Sequence, residues 1–186
     1  MGREDDSRVP IQQICSFEDP QDAGSVIYCA VAHDRDRGAG RLIFLRKQHD
    51  RWQYLGQRVF NLLVRRVTDT GFIQSPVKEA GKLLFAPQLR HMIFVDPSGD
   101  VLGATLDMDN WNVNGTTTTT TLLQRLPLRT NPAQATVLGS AERTFVGYAS
   151  GAIAFDRNWK ALRTYLFPFA TEVPAQLALK KTLTGE

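Results

Sequence analysis

Gly151-Ala-Ile-Ala-Phe-Asp156-Arg-Asn-Trp159 is an apolar strand led by glycine, closed by an acidic turn and followed by a tryptophan. The same order of features stands at Gly40-Arg-Leu-Ile-Phe-Leu-Arg-Lys-Gln-His-Asp50-Arg-Trp52 and at Gly99-Asp-Val-Leu-Gly-Ala-Thr-Leu-Asp-Met-Asp109-Asn-Trp111. The pattern uses all three tryptophans of the chain, at separations of 59 and 48 residues. Those separations are near the period of a β-repeat unit. Trp52, Trp111 and Trp159 are therefore expected at equivalent, largely buried positions of superposable repeats.

Strand signals surround each copy. Residues 25–33 and 41–46 are β-branched apolar runs joined by Asp34-Arg-Asp-Arg-Gly-Ala-Gly40, which predicts a hairpin. His91–Asp96 and Val101–Asp107 flank Pro97-Ser98-Gly99-Asp100, where Pro presets φ and Gly accepts φ > 0. Thr144–Tyr148 and Ala152–Phe155 flank Ala149-Ser150-Gly151. A fourth strand is expected at Phe60–Val67, which a short helix would also fit, and at Thr121–Leu128. The run Thr116–Thr121 suits a pleated outer or edge strand. Residues 68–81 and 129–135 read as connections. Only the segment from Pro174 looks helical, with alanines and leucines followed by lysines.

Phe145-Val-Gly-Tyr-Ala-Ser-Gly-Ala-Ile-Ala-Phe-Asp-Arg-Asn-Trp159 resembles the blades of quinoprotein and WD-like β-propellers. The likeness extends loosely over residues 10–170 and implies a mainly β fold of three antiparallel blade-like repeats. The units fall at about 25–67, 82–128 and 135–169, after a flexible segment 1–9 and before a tail, 171–186, with its short helix. Propellers close with about four to eight blades. Three units therefore imply an incomplete propeller completed by a partner, or a threefold β-trefoil. An open array leaves sheet edges and apolar faces uncovered, which soluble proteins avoid.

Composition bounds the function. A chain of 186 residues with 42% hydrophobic and 22% charged residues is that of one soluble domain with a sizeable core. The net charge of +3 comes with no tail of like charge. The polar, acidic N-terminus (Glu4, Asp5, Asp6) has neither a secretion signal nor transit-peptide character, and no apolar run reaches membrane-spanning length. Asp6 occupies the Ser/Thr position of a myristoylation motif. These features predict an intracellular protein of cytoplasm or organelle matrix, in which Cys15 and Cys29 are reduced thiols. A disulfide between them needs a geometry that sequence does not establish.

Chemistry-bearing motifs are sparse. His33, His49 and His91 lack metal-ligand spacing, and His33-Asp34 and His49-Asp50 sit in turns without a nucleophile motif to serve. Asp34-Arg-Asp36-Arg-Gly38 and Asn110-Trp-Asn112-Val-Asn114-Gly115 imitate calcium loops. Arg35 and Arg37 neutralise the first, and the second lacks carboxylates and a terminal Glu. We assign no catalytic residue, metal or cofactor.

Residues 35–66 carry nine Arg/Lys against two acids, with Phe44, Trp52 and Tyr54 among them. Arg41, Arg46, Lys47, Arg51, Arg58, Arg65 and Arg66 are the candidate partner-binding residues, placed on a solvated rim around core aromatics. The sequence therefore reads first as a non-catalytic protein-interaction module, a subunit of a larger assembly. The same patch could instead hold RNA or DNA, since cations around aromatics suit single strands. A third alternative is a trefoil binding a small ligand or carbohydrate.

Overall fold

The computed structural model describes residues 9–19, 22–48, 50–78, 80–107, 113–125 and 131–166. Trp111 and the helix expected from Pro174 lie outside them. The described chain is mainly β, with short 3-10 turns at Pro87–Leu89 and Pro132–Gln134 and no α-helix among the described residues.

The strands follow one another as three meanders. The first comprises β1 (Ile11–Glu18), β2 (Val26–Asp34), β3 (Ala39–Gln48) and β4 (Arg51–Thr68), with β5 (Gly71–Pro76) folded back on the end of β4. The second is β6 (Lys82–Ala86), β7 (His91–Val95), β8 (Asp100–Thr105) and β9 (Val113–Arg125). The third is β10 (Thr136–Gly139), β11 (Arg143–Tyr148), β12 (Gly151–Asp156) and β13 (Ala161–Leu166). Residues 60–67 are strand rather than helix, in keeping with the β-branched Val59, Val64 and Val67, and the expected connection 68–81 contains β5.

The first two meanders do not stay separate. Arg58–Val64 of β4 pairs in parallel with Val113–Thr120 of β9, giving one nine-stranded sheet in the order β1-β2-β3-β4-β9-β8-β7-β6, with β5 off the path. The threonine run is thus the strand that clasps two meanders together. The third meander is a four-stranded sheet of its own. This division differs from the threefold closed barrel of a β-trefoil.

The large sheet curls until its two ends meet. Gln12 donates from Nε2 to the Gly81 carbonyl (3.0 Å) and accepts from Leu83 N–H (2.6 Å). Gln13 does the same with the carbonyl and N–H of Phe85, at 3.1 and 2.6 Å. Two side-chain amides thereby satisfy the backbone edge of β6 that a strand would otherwise pair.

Two cores result. Ile27, Cys29, Val31, Leu42, Phe44, Phe60 and Leu62 of the first meander pack on Leu83, Phe85, Met92, Phe94 and Leu102 of the second. Leu84, Ala86, Ile93, Val95 and Val101, from the other side of the second, pack on Val146, Tyr148, Ile153 and Phe155 of the third. In the second meander β6, β7 and β8 are therefore buried on both faces. Accordingly β6 and β7 read as unbroken apolar runs, Leu83-Leu-Phe-Ala86 and His91-Met-Ile-Phe-Val95, rather than alternating ones.

Turns recur with the same geometry. Asp96 Oδ1 accepts from the N–H groups of Ser98 (2.8 Å) and Asp100 (2.9 Å), and Asp156 Oδ1 from those of Asn158 and Lys160, both 2.9 Å. The fourth position needs positive φ in each: Gly99 at 85° and Trp159 at 66°. Trp159 is thus the counterpart of a turn glycine. Trp52 is a strand residue near the start of β4, so these two tryptophans are not equivalent.

Candidate interaction surface

The outer face of the first meander is built by strand parity. Ile27, Cys29, Val31, Leu42 and Phe44 point into the core, so Val26, Tyr28, Ala30, Ile43 and Leu45 point the other way. Cross-strand register brings them into rows: Ile14–Ala30–Ile43–Gln57, Ser16–Tyr28–Leu45–Tyr54 and Glu18–Val26–Lys47–Trp52.

Trp52 belongs to this face and not to the core. Its neighbour Leu55 is an extra residue in β4, inserted where Phe44 pairs with Gly56 and Leu45 with Tyr54. That bulge, with Gly56 at φ 153°, reverses the parity of everything before it. Without it, Trp52 and Tyr54 would share the buried face of Phe60. With it, Trp52 is 57% exposed and Tyr54 59%, and Ile14, on β1 across the same face, is 67% exposed. This overturns the expectation of a buried Trp52. Tyr28 meets Trp52 edge to face at 5.0 Å, and Lys47 Nζ lies 5.8 Å from the indole centroid.

The candidate basic residues divide. Lys47 and Arg51 are exposed and Arg41 is half-buried on the outer face, while Arg65 and Arg66 are residues of β4. Arg46 points inward and binds the carboxylate of Asp19, which is 2% exposed. Arg58 is 6% exposed on the core side, two residues before Phe60. Neither Arg46 nor Arg58 is part of a solvated rim. Alternation from Phe44 and Phe60 was the signal for both. The surface residues missed by sequence, Tyr28, Ile43 and Leu45, follow from the same parity.

The other candidates are structural. His33 Nε2 meets the Val77 carbonyl at 3.1 Å and its ring lies edge-on to Phe94. Asp34 accepts from Arg37 N–H (3.2 Å) and pairs with its guanidinium, so this carboxylate holds a turn. Val9, Gln12, His33, Asp34, Arg35 and Gly81 line part of an open cleft of about 400 Å³. Among the described residues no three His, Cys, Asp or Glu side chains are grouped to hold a metal ion, and no helix is long and apolar enough to cross a membrane. His49 and residues 110–112 lie outside the described residues.

No protein-family model matches the chain, and comparisons with curated proteins and with solved structures find no match.

Proposed function

We propose that this chain is a non-catalytic interaction module that docks a protein partner on the outer face of β1–β4. The observation that carries this is the contiguous set Ile14, Tyr28, Ile43, Leu45, Trp52 and Tyr54, a sheet face on which Ile14, Trp52 and Tyr54 are each more than half exposed. Exposed apolar patches of this kind mark association surfaces, and Trp and Tyr are the usual anchors of such surfaces. Lys47 and Arg41 within it favour a partner whose apolar patch carries carboxylates.

Stacking of the three meanders supports the finer view of an open, blade-like array awaiting completion. The β4–β9 clasp is its departure from free-standing blades.

The test is affinity capture from the source cells with wild-type bait and with a Trp52→Ser/Tyr54→Ser double variant, alongside sedimentation of each alone. Proteins retained by the wild type and lost by the folded variant support the proposal. An identical recovered set, with wild type monomeric at all concentrations, sinks it.

A nucleic-acid reading is favoured by one observation, the exposed Trp52 with a lysine against its ring and Tyr54 nearby. Single-stranded oligonucleotides titrated at two salt concentrations test it. Phosphate neutralisation demands that affinity fall steeply as salt rises.

A further inference from the structure

We propose that Cys15 and Cys29 form a thiol-modification site, closing to an intramolecular disulfide when the folded chain meets a low-molecular-weight disulfide such as oxidised glutathione. The two residues are direct cross-strand partners on β1 and β2, within an unbroken register from Gln13↔Val31 to Glu18↔Val26. Directly opposed residues of an antiparallel pair have Cα atoms roughly 4.5–5.5 Å apart. That span lies inside the roughly 4.4–6.8 Å that disulfides use. Both side chains project from the same face, because Cys29 belongs to the first core and Cys15 packs against it. Cys15 Sγ is 3.8 Å from the Cys29 carbonyl oxygen, and both cysteines are free.

The two sulfurs have different access, which orders the chemistry. Cys29 is fully buried, whereas Cys15, on the end strand of the sheet, is half-buried. A hydrogen bond with the Cys15 thiol and burial both push the Cys29 thiol up. Cys15 is therefore the entry thiol. Its thiolate attacks one sulfur of the oxidant, forming a mixed disulfide and releasing one glutathione thiolate, which takes up the proton Cys15 lost. Cys29 then gives up its proton and attacks Cys15 Sγ. The Cys15–glutathione bond breaks, the Cys15–Cys29 bond forms, and a second reduced glutathione leaves. Two thiols are oxidised and one external disulfide is reduced.

The linkage would tie down the strand whose Gln12 and Gln13 satisfy the edge of β6. Oxidation is thus expected to slow hydrogen exchange at Leu83 and Phe85 N–H as well as along β1.

Folded protein is incubated in glutathione buffers of rising oxidised fraction, quenched by alkylation and read by mass spectrometry. The expected product is a monomer lighter by two hydrogens, with a single cross-linked peptide pair joining Cys15 to Cys29. Cys29→Ala should instead retain glutathione on Cys15, and Cys15→Ala should remain unmodified. Circular dichroism identifies any variant that fails to fold, and the wild-type result stands without the variants. Two freely alkylated thiols in folded wild type, in buffer that oxidises a small dithiol, would overturn the proposal. So would oxidation that yields only chains linked to one another.

Discussion

The imidazole of His91 lies flat on the indole of Trp159, with ring centroids 3.7 Å apart and planes 18° from parallel. The pair seals the junction of the second and third meanders. His91 Nε2 donates to the Arg157 carbonyl (3.2 Å), which fixes the tautomer, so Nδ1 accepts from the Thr144 hydroxyl at 3.0 Å. Trp159 Nε1 donates to Thr105 Oγ1 at 3.0 Å.

Acid should loosen this junction. Burial lowers the pKa of His91, outweighing the Arg157 carbonyl and Asp156, which raise it. The unfolded chain titrates near the ordinary histidine value of about 6.5. Folded protein therefore binds the proton less well, and stability present above that pH is lost as pH falls through it toward the depressed folded value. Urea midpoints at pH 7.5 and 5.5 check this. The midpoint should drop on acidification in wild type, and this drop should be smaller in His91→Gln.

Trp159 holds φ 66°, a conformation that costs a bulky residue about 1–2 kcal/mol and glycine almost nothing. We expect Trp159→Gly to be less destabilising than Trp159→Ala by about 1 kcal/mol, although glycine restores no contact. Both lose the stack on His91. Chemical denaturation of the two variants in parallel is the measurement, and the reverse order would show that the turn does not impose this conformation.

Trp52→Ala should change stability by only about 0.5 kcal/mol, the range of exposed sites, against the 3–5 kcal/mol of a buried aromatic. Thermal unfolding of the variant decides between them.

Arg46 and Lys47 are adjacent in sequence and opposite in environment. Arg46→Glu sets two carboxylates together where Asp19 is buried, and is expected to cost about 3–5 kcal/mol. Lys47→Glu on the outer face should leave folding within about 0.5 kcal/mol of wild type. Denaturation midpoints of the two single variants test the contrast.

Tyr148 is 1% exposed and its hydroxyl has no hydrogen-bond partner among the described residues. An unsatisfied buried hydroxyl costs about 1–3 kcal/mol. Tyr148→Phe should therefore be neutral or stabilising, which a melting curve will show.

The hairpins were legible because their signals are local. Turn clusters at 34–40 and 97–100, and the strand runs beside them, require no distant partner to interpret. Aligning the tryptophans misled because composition matched where conformation did not: Trp159 takes the place of Gly99, while Trp52 stands inside a strand. The inward turn of Arg46 and Arg58 was available from alternation with Phe44 and Phe60. The outward turn of Trp52 was not. It depends on the Leu55 bulge, which is defined by the pairing of β4 with β3 and is marked in the residue pattern only by Gly56. The β4–β9 clasp was equally hidden, since a parallel pairing between distant segments has no local turn to announce it.

That clasp sets a timetable for the nascent chain. Chain segments form structure as they leave the ribosome, N-terminal part first, so β1 to β4 can fold into a meander well before Val113–Thr120 is synthesised. Throughout that interval β4 presents an unpaired backbone edge, the kind of template on which neighbouring chains aggregate. The chain is therefore most vulnerable while the residues between β4 and β9 are being synthesised. A pause between residues 68 and 113 should be more damaging to yield than one placed after residue 125.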